Sequence, residues 1–596
     1  MNTLAFFDIE TNAIKDWTNL TDLEVVHCIA IHDNTGTYAF SGDSVKTGVA
    51  RLKNYDAIVG HNSIGFDYPA LQKMFGFQHP MVLDTAVLSR CIYPDIRTQD
   101  FNRTNFPRNL CGSHSLKAWG KRIGVLKDDH GETETWTTCT SEMIEYCKQD
   151  THVTYALYEY LIKQNPDVRM SMLEHRFASL MRQQESNGFP FDEEKANKLS
   201  AELMIRRAEL GDELQQLFKP TVVETKSFWW LAPDGSQAKT KKSLVEAGWK
   251  AADITKGPLR TKEVPFNPNS RDQIAERLMA DGWKPTAYEG KRPAINEGVL
   301  KSIGTPQAEK LLEYLLVSKR LGQVAEGNQA WLKLVKDGRI HGRINTNGAV
   351  SGRCTHNHPN VAQVPASRAP YGEQCRSCFT APEGKVLVGA DASGLELRCL
   401  AHYLYAWDNG AYAKEILEGD IHTANQKAAG LPTRDDAKTF IYAFLYGAGD
   451  AKIGSIVGGS AKHGKQLKTS FMAKTPAIRK LSEAVAFKVE SHNYLIGLDG
   501  RKLPCRSAHS ALNLLLQSAG AVVMKQALVE FADMAQRPYE LHGNIHDEVQ
   551  FSCDEKDAEI LGQCFVNALA KAGKKLGFNC PLDGEFSVGK NWSETH

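Results

Sequence analysis

Residues 385–404 read KVLVGADASGLELRCLAHYL, and no other stretch says more about how this chain folds. It starts with a short apolar run of the kind that forms a buried strand, and this run leads into Asp391. From Leu395 onward, apolar residues recur at helical spacing, at positions 397, 400, 401 and 404. The pattern predicts a strand, a short turn and a helix, with one carboxylate mounted at the end of the strand.

A second carboxylate suited to the same site stands far downstream, in GNIHDEVQF at 543–551. Asp547 lies between His546 and Glu548, at a predicted tight connection between two short strands. Carboxylate oxygens are the ligands that Mg²⁺ accepts in proteins. Asp391 and Asp547 together could hold two Mg²⁺ ions beneath a triphosphate, an arrangement suited to phosphoryl transfer.

Between these two acids lies PTRDDAKTFIYAFLYGAG, which is predicted to be helical. Arg434, Lys438, Tyr442 and Tyr446 recur every four residues, so they form one stripe along the helix. Two cations followed by two aromatic rings suit a phosphate chain at one end and a base at the other. A basic flank with a packed aromatic end explains the helix equally well when it is considered alone.

The N-terminal part contains a different acidic set. LAFFDIE, VVHCIAIHD and AIVGHN are predicted strands and 141–162 is a predicted long helix, which indicates an α/β domain with a mixed sheet. Asp8 and Glu10 share one face of the first strand, GHNSIGFDYPAL supplies Asp67, and Tyr146 and Asp150 share one helix face. Four converging carboxylates repel one another unless divalent cations lie between them.

Taken in order, these elements resemble two known families. The N-terminal set resembles the 3′–5′ exonuclease (proofreading) domains of the DEDD family, tyrosine subtype. DASGLELR, R-x₃-K-x₃-Y-x₃-YG and HDE resemble motifs A, B and C of the family A DNA polymerases, and the closest match is to the replicative enzymes of short-tailed bacteriophages. The resemblance covers nearly the whole chain. It implies a DNA-directed DNA polymerase that extends a primer with dNTPs and proofreads with a 3′–5′ exonuclease.

The resemblance also implies the fold class. We expect a multidomain α/β and α+β protein, with an RNase H-like exonuclease domain followed by a right-hand polymerase. The expected ranges are 1–170 for the exonuclease domain, 171–190 for a connector, 191–335 for the thumb with a shortened basic insertion at 220–265, 336–408 and 496–596 for the palm, and 409–495 for the fingers. Because the chain starts with the proofreading signature, we expect no 5′-nuclease domain.

The resemblance assigns roles to single residues. The catalytic residues would be Asp391, Asp547, Glu548 and Lys438 for synthesis, and Asp8, Glu10, Asp67, Tyr146 and Asp150 for degradation. Each site would hold two Mg²⁺ ions, or Mn²⁺ in their place, on Asp391, Asp547 and the Ala392 carbonyl in one case and on Asp8, Glu10, Asp67 and Asp150 in the other. The dNTP would contact Arg434, Lys438, Tyr442, His422, Glu396 and Ala392. The DNA would contact Arg353, Asn513, Gln517, His546 and Tyr446.

The segment 220–265 departs from the related phage enzymes, whose longer basic insertion binds host thioredoxin. Here it contains eight Lys or Arg residues and five Asp or Glu residues, without steady periodicity. This difference argues against thioredoxin as a partner. Phe228, Trp229 and Trp230 form a surface for another partner, such as a processivity factor or a helicase, or they pack locally. The other expected partners are primer-template DNA and dNTPs, and we expect a monomer.

Composition narrows the class of protein. A chain of 596 residues with 42% hydrophobic and 24% charged residues is typical of a globular enzyme with several domains. The net charge of +1 decides nothing about nucleic acid, because binding needs cations gathered in a cleft. No apolar run approaches the length of a membrane span, and the N-terminus lacks a signal peptide. We therefore expect no membrane association and a cytoplasmic location, in the host cell if a phage encodes the protein.

Two motif-like patterns are predicted to be decoys. Thirteen cysteines, an odd number, fit a reducing compartment. One Cys/His group has no standard zinc spacing, so we expect free thiols and DNA-facing histidines there: Cys354, His356, His358, Cys375 and Cys378. GSAKHGKQ at 459–466 lacks the Ser or Thr of a P-loop and follows a predicted helix. We interpret it as a basic turn and expect no ATPase.

Three alternative functions compete with this interpretation. A single-subunit RNA polymerase would lack the proofreading domain and the Glu396-type exclusion of ribose, and dNTP incorporation separates the two. A nuclease with a decayed polymerase half is disfavoured because Asp391, Asp547, Arg434 and Lys438 are all present. A DNA-binding scaffold without catalysis has no use for two complete acidic clusters.

Overall fold

The computed structural model describes residues 3–127 and 136–596, which form two compact units. The larger unit runs up to Asp192 and resumes with Leu334–His596, and the smaller unit is Glu193–Lys333. Residues 1–2 and 128–135 of the range predicted for the exonuclease domain lie outside the described residues.

The first part of the larger unit is built on a mixed sheet. Its strands are β1 (Leu4–Thr11), β2 (Val26–Asp33), β3 (Gly36–Ser41), β4 (Ala57–Gly60) and β5 (Val82–Asp84). Their order is β3-β2-β1-β4-β5, with β1 antiparallel to β2 and parallel to β4. The three strands predicted from LAFFDIE, VVHCIAIHD and AIVGHN, and the predicted mixed sheet, are confirmed.

Helices cover both faces of this sheet. They are α1 (Val45–Leu52), α2 (Asp67–Phe75), α3 (Thr85–Ile92), α4 (Ile96–Phe101), α5 (Leu116–Ile123), α6 (Ser141–Ile162) and α7 (Val168–Asn187). On β1, Ala5, Phe7 and Ile9 pack into the core that holds α1 and α2. The alternate residue Phe6 packs edge-on against Tyr155 of α6. Because side chains alternate along a strand, Asp8 and Glu10 face α6.

After α7 the chain passes through a short connecting segment between two helices. Gly188 ends the helix with φ +65, and the two-residue strand β6 (Phe189–Pro190) follows. The smaller unit begins directly afterwards. These residues, NGFPF at 187–191, interrupt the helical pattern that runs along the sequence from Glu174 to Leu217.

The smaller unit combines long helices with a β ribbon. Its elements are α8 (Glu193–Leu217), β7 (Thr221–Leu231), β8 (Gln237–Ala238), α9 (Lys241–Glu246), β9 (Thr255–Val264), α10 (Arg271–Ala280), β10 (Tyr288–Glu289), β11 (Arg292–Pro293), α11 (Glu297–Ile303), α12 (Pro306–Leu321) and α13 (Trp331–Leu334). Helical periodicity in the sequence at 272–279 and 307–321 agrees with α10 and α12.

The insertion at 220–265 is more regular than its sequence indicates. β7 and β9 form a long antiparallel ribbon with β8 at its edge. The register shifts between Glu224 and Phe228 and again before Trp230, and these bulges hide the period of two. Trp230 packs against a small core around Leu244. All three aromatic rings of the Phe228 triplet are partly buried, and the local-packing interpretation holds for Trp230.

The second part of the larger unit contains a four-stranded antiparallel sheet. The strands of this part are β12 (Arg339–Ile340), β13 (Arg343–Asn345), β14 (Thr355–Asn357), β15 (Val386–Ala392), β16 (Tyr494–Ile496), β17 (Lys502–Pro504), β18 (Glu540–Ile545), β19 (Glu548–Cys553) and β20 (Gly584–Gly589). The sheet order is β18-β19-β15-β20. The strand predicted at KVLVGAD is therefore central, with a neighbour on each side.

The helices of this part surround the sheet. They are α14 (Gly372–Ser377), α15 (Leu395–Asp408), α16 (Ala411–Glu418), α17 (Ile421–Ala429), α18 (Arg434–Leu445), α19 (Asp450–Ile456), α20 (Ala461–Lys474), α21 (Pro476–His492), α22 (Ala511–Met534) and α23 (Ala558–Lys575). Val388 and Ala390 of β15 share one core with Leu528 of α22 and Leu561 of α23. The predicted helix after DASG is confirmed as α15.

Two sequence interpretations need correction here. Within residues 3–127 and 136–596, one helical stretch, Ala508–Met534, is long and apolar enough to cross a membrane. Because 78% of its most apolar part is buried against the rest of the protein, it is a core helix. The basic turn expected at 459–466 is mostly helix: α20 starts at Ala461, and Ser460 accepts the His463 N–H as its N-cap.

Candidate active sites

The second acidic site, which we define as Asp391 and Asp547, lies at the end of β15, a central strand of the four-stranded sheet. In the register of the sheet, Asp391 stands opposite Glu548 on β19 and Glu585 on β20. His546 and Asp547 form the turn between β18 and β19, with His546 at φ +60. The Ala392 N–H donates to the Asp547 carbonyl at 3.1 Å, which holds this turn at the end of β15. The predicted hairpin is confirmed.

The acids of this site suit a divalent cation. Burial is the largest cause that raises the pKa of Asp391 to about 8, followed by the charges of Asp547 and Glu548. Glu585 adds to the same repulsion. A bound cation would offset it, and carboxylate and carbonyl oxygens are the donors that Mg²⁺ prefers. The residues present therefore fit the predicted metal.

A cavity of about 970 Å³ opens above these acids. It is lined by residues from the sheet, α15, α18 and α22. The predicted site residues on its wall are Arg353, Asp391, Ala392, Glu396, Lys438, Tyr442, Tyr446, His546 and Asp547. The first and the last of these residues, Arg353 and Asp547, lie 194 positions apart in the chain. The fold thus gathers most of the predicted residues in one place.

Glu396 connects the cavity wall to α18. The Tyr446 hydroxyl donates a hydrogen bond to the Glu396 carboxylate, and the Arg353 guanidinium lies 3.6 Å from the same oxygen. α18 ends at Leu445, so Tyr446 follows the helix instead of continuing the predicted stripe within it. Lys438 is exposed on the side of α18 that faces the cavity.

Five predicted residues do not line this cavity: Glu548, Arg434, His422, Asn513 and Gln517. Arg434 is paired with Asp420, with its Nε 2.7 Å from the carboxylate, and the His422 ring lies 6.5 Å from the Tyr442 ring. Asn513 lines a neighbouring cavity of about 530 Å³ and accepts a hydrogen bond from Gln517 at 2.8 Å. These residues lie around the larger cavity and not on its wall.

Glu548, which the sequence analysis predicted as catalytic, is only 3% exposed and does not line the cavity. Its carboxylate accepts from the Trp592 indole at 2.5 Å and from Gln550 at 2.7 Å, and Arg376 lies 3.7 Å from it. Glu585 faces Asp391 across the sheet. The sequence analysis missed Trp592, Arg376 and Glu585, because tertiary packing brings the first two to Glu548 and strand pairing brings Glu585 to Asp391.

The first acidic site, which we define as Asp8, Glu10, Asp67 and Asp150, lies between β1, α2 and α6. A ligand atom of each of Asp8, Glu10 and Cys147 lies within 4.8 Å of the other two. The Ile9 N–H donates to Asp67 at 3.3 Å, which ties the start of α2 to β1. Tyr146 and Asp150 are both buried on α6. The predicted residues of this site therefore come together.

Repulsion at the first acidic site is strong. Burial, and then the charges of neighbouring acids, raise the pKa values of Asp8 and Glu10 well above their usual range. Burial raises the pKa of Asp67 to about 7. These oxygens also fit a divalent cation, for the reason given for Asp391.

Lys127 is the residue of this site that sequence reasoning missed. Its ammonium pairs with the Asp150 carboxylate and lies 4.6 Å from the centre of the Tyr146 ring. The lysine is 23 positions before Asp150, in a polar stretch without a motif. A buried helix acid that needs a cationic partner is the one signal that could have suggested it.

The Cys/His group considered for zinc does not form a metal site. Among the described residues, the only group with metal-type spacing is Asp8, Glu10 and Cys147. Cys375 and Cys378 are buried, and none of the thirteen cysteines is in a disulfide.

The raised pKa of Asp391 predicts a pH dependence of stability in the metal-free protein. The folded carboxyl keeps its proton up to a pKa of about 8, whereas an unfolded aspartate loses it at about pH 4. Between these values the folded state binds more protons, so the free energy of unfolding falls as pH rises. In excess EDTA we expect Tm to fall more steeply from about pH 5 to about pH 8 in the wild type than in Asp391→Asn. Parallel curves would contradict the assigned environment.

Comparison with known proteins bears on both sites. A family profile described as DNA polymerase family A matches residues 238–594, more than half of the chain. The chain belongs to DNA polymerase family A. The DNA-directed DNA polymerases of Escherichia phage T7 and Enterobacteria phage T3 are each 38% identical to this polymerase, with 99% of both chains covered. Membership in this family excludes the alternative of a single-subunit RNA polymerase.

The fold of this polymerase also matches a solved structure. The POL domain of Pol1 from M. smegmatis, in complex with DNA primer-template and dNTP, superimposes with a TM-score of 0.74. The match covers 100% of this chain and 96% of that one, at 16% sequence identity. The mixed α/β fold of a family A polymerase is therefore shared, and polymerases of this family use divalent metal ions, typically Mg²⁺.

Proposed function

We propose that this polymerase extends a primer on a DNA template with dNTPs at the second acidic site, and shortens the primer from its 3′ end at the first. The observation that carries the proposal is the cavity whose wall holds nine of the predicted site residues. The names of the phage relatives and the primer-template and dNTP in the solved relative support it.

Divalent cations would occupy both sites. Asp391, Asp547 and the Ala392 carbonyl would hold Mg²⁺ for synthesis, and the four carboxylates of the first acidic site would hold it for degradation, with Mn²⁺ as a substitute. When bound, such cations lower the pKa of an attacking hydroxyl or water and stabilise the charge on the leaving oxygen. Glu548 supports Asp391 from the adjacent strand.

The cations of α18 would bind the triphosphate of the dNTP. Arg434 and Lys438 lie one helical turn apart, with His422 nearby, so they would contact successive phosphates. Arg434 must exchange its Asp420 partner for the triphosphate. Lys438 would donate a proton to the leaving pyrophosphate. Inward movement of α18 on correct pairing would complete the site and favour the correct nucleotide.

The sugar and the bases would be selected at other parts of the cavity. Glu396 and Tyr442 would leave no room for a ribose 2′-hydroxyl. Arg353, Asn513 and Gln517 would contact minor-groove acceptors, which occupy similar places in all four correct pairs and so report pairing without reading sequence. His546 would contact the primer end, and Tyr446 would stack on a base.

At the first acidic site, Tyr146 would orient the attacking water, and Lys127 would add positive charge beside the scissile phosphate. We expect Lys127→Met to lower the rate of 3′–5′ degradation of single-stranded DNA by about tenfold or more, because a buried cation near developing negative charge is lost. Synthesis should not change. Lys148→Met, which removes an exposed lysine of α6 paired with Glu145, is the control. Equal rates of degradation by Lys127→Met and Lys148→Met would show that Lys127 has no role at the site.

Tyr442 predicts how this polymerase treats chain terminators. In related enzymes a phenylalanine at this position accompanies rejection of dideoxynucleotides, so the wild type should accept them readily. Tyr442→Phe should reduce the incorporation of dideoxynucleotides relative to deoxynucleotides by about tenfold, which corresponds to the loss of one hydrogen bond of ~1.4 kcal/mol. Tyr405→Phe, an exposed tyrosine of α15, is the control. Strong rejection by the wild type would contradict this role of Tyr442.

We also propose the predicted domain plan for this chain. The mixed sheet with α6 supports an RNase H-like exonuclease domain within 1–170, joined through 171–190. The smaller unit Glu193–Lys333 supports a thumb at 191–335, and the four-stranded sheet supports a palm at 336–408 and 496–596. The helices between them would be the fingers at 409–495. The phage origin of the relatives supports work in the host cytoplasm. We further propose a monomer, with 220–265 as a docking segment for a processivity factor or helicase other than thioredoxin.

A single assay tests the proposed activities. A 5′-labelled primer annealed to a longer template is incubated with Mg²⁺, with and without dNTPs. Extension with dNTPs and shortening without them is the expected result, and ribonucleotides should not support extension. Binding of the DNA without any change in primer length would instead favour the non-catalytic scaffold.

A further inference from the structure

A buried ionic cluster below the cavity has no part in the proposed reaction. It consists of Glu174 on α7, Asp499 and Arg501 in the β16–β17 hairpin, and Lys525 on α22, and no side chain is more than 3% exposed. Two acids and two bases leave it without net charge. Such clusters add little net stability, because the attraction mainly offsets the cost of burying the charges. Its presence therefore calls for another explanation.

The four charges are joined by direct hydrogen bonds. Lys525 donates to both carboxylate oxygens of Glu174, at 2.7 and 2.9 Å. Arg501 donates to Asp499 at 2.6 Å and also to Glu174. Each charged group therefore has an opposite partner, and the geometry of the four side chains is mutually determined.

The cluster also binds the loop that leads to Arg353. The Asn347 amide donates to Glu174 at 2.7 Å, and its carbonyl oxygen accepts from Arg501 at 3.0 Å. Lys525 donates to the Thr346 carbonyl at 2.8 Å. At the other end of the loop, Gly352 has φ +80 and packs so closely that a Cβ there would lie 2.1 Å from Arg501. The loop 346–353 is held at both ends.

We propose that Glu174, Arg501 and Lys525 are positioning residues for the polymerase cavity: through Asn347 they fix the loop 346–353, so that Arg353 reaches the cavity wall. Arg353 immediately follows Gly352 and lies 3.6 Å from Glu396. The inference rests on the role proposed above for Arg353. It extends the functional site to α7, a helix that contributes no side chain to the cavity wall.

Asn347→Ala is the sharpest test, because it removes the side-chain hydrogen bonds between the loop and the cluster and leaves all four charges paired. We expect matched primer extension to fall about tenfold or more, as displacement of a contacting group by a fraction of an ångström can cost this much. Degradation of single strands should stay at the wild-type rate. Adding Arg353→Ala to Asn347→Ala should cause little further loss, because both changes remove the same contact. Asn187→Ala, a half-buried asparagine at the end of α7, is the control.

A second variant keeps the inference testable if Asn347→Ala unfolds. Glu174→Leu with Lys525→Met removes one positive and one negative charge, and a balanced apolar replacement is tolerated in other proteins. It should show the same loss of extension at near-wild-type Tm. Losses that multiply when Arg353→Ala is added, or unchanged extension, would overturn the inference. If Arg353→Ala itself leaves extension unchanged, this inference fails while the proposed function stands, and only a wild type that extends no primer removes both.

Discussion

Asp391→Ala is expected to abolish primer extension, by about 10⁴-fold or more, while single-stranded DNA is still shortened from its 3′ end. Asp391 lies at the centre of the row formed with Glu548 and Glu585, beside Asp547. No neighbouring carboxylate can take its place, because Glu548 is already held by Trp592 and Gln550. The first acidic site shares none of these residues, so degradation should persist.

The measurement is single-turnover extension of a labelled primer, with degradation of a single-stranded oligonucleotide followed in parallel. Asp554→Ala is a matched control, because this aspartate follows β19 of the same sheet but pairs with Lys385 away from the cavity. Loss of both activities in Asp391→Ala, at unchanged Tm, would break the assignment of one reaction to each acidic site.

Asp8→Ala combined with Glu10→Ala is expected to do the reverse, with degradation lost by about 10⁴-fold or more and synthesis retained. Both carboxylates belong to β1 and face α6, and an oxygen of each lies within 4.8 Å of an oxygen of the other. Removing them should also relieve their repulsion with Asp150 and Asp67, which raises the pKa values of Asp8 and Glu10, so we expect the variant to be at least as stable as the wild type in EDTA.

The readout for this variant is a primer with a mismatched 3′ end. The wild type should remove the mismatch before extending, whereas the variant should leave it in the product or stall. Asp16→Ala is the control, because this aspartate lies near β1 but is paired with Lys336 and not with the site. Continued removal of mismatches by the variant would place the exonuclease chemistry elsewhere in the protein.

Elements with strong local periodicity were predicted from the sequence with close agreement. β15 and α15 follow the apolar pattern of 385–404, and α6 has the bounds expected for 141–162. The ribbon of β7 and β9 was not predicted, because bulges at Glu224 and Phe228 break the alternation by which a strand is recognised. The start of α20 was taken for a turn because its glycines and lysines carry no apolar stripe.

The residues of the candidate sites also fall into two groups: those that were predicted from the sequence and those that only the structure identifies. The acids Asp8, Glu10, Asp67, Asp150, Asp391 and Asp547 belong to short motifs that are visible along the chain, and the resemblance to known families rests on those motifs and their order. Lys127, Glu585 and Trp592 became visible only as neighbours of these acids in the folded chain.

The chemistry of both sites can thus be inferred from short motifs along the sequence, since an acid at the end of a strand is a local feature. The residues that support those sites cannot be inferred in this way. Glu174 meets Arg501 across 327 positions, and Asp391 meets Glu585 through strand pairing. Burial and register set such contacts, and both depend on how the whole chain packs. A sequence pattern can therefore identify the acids, while the partners that orient them and shift their pKa values belong to the tertiary structure.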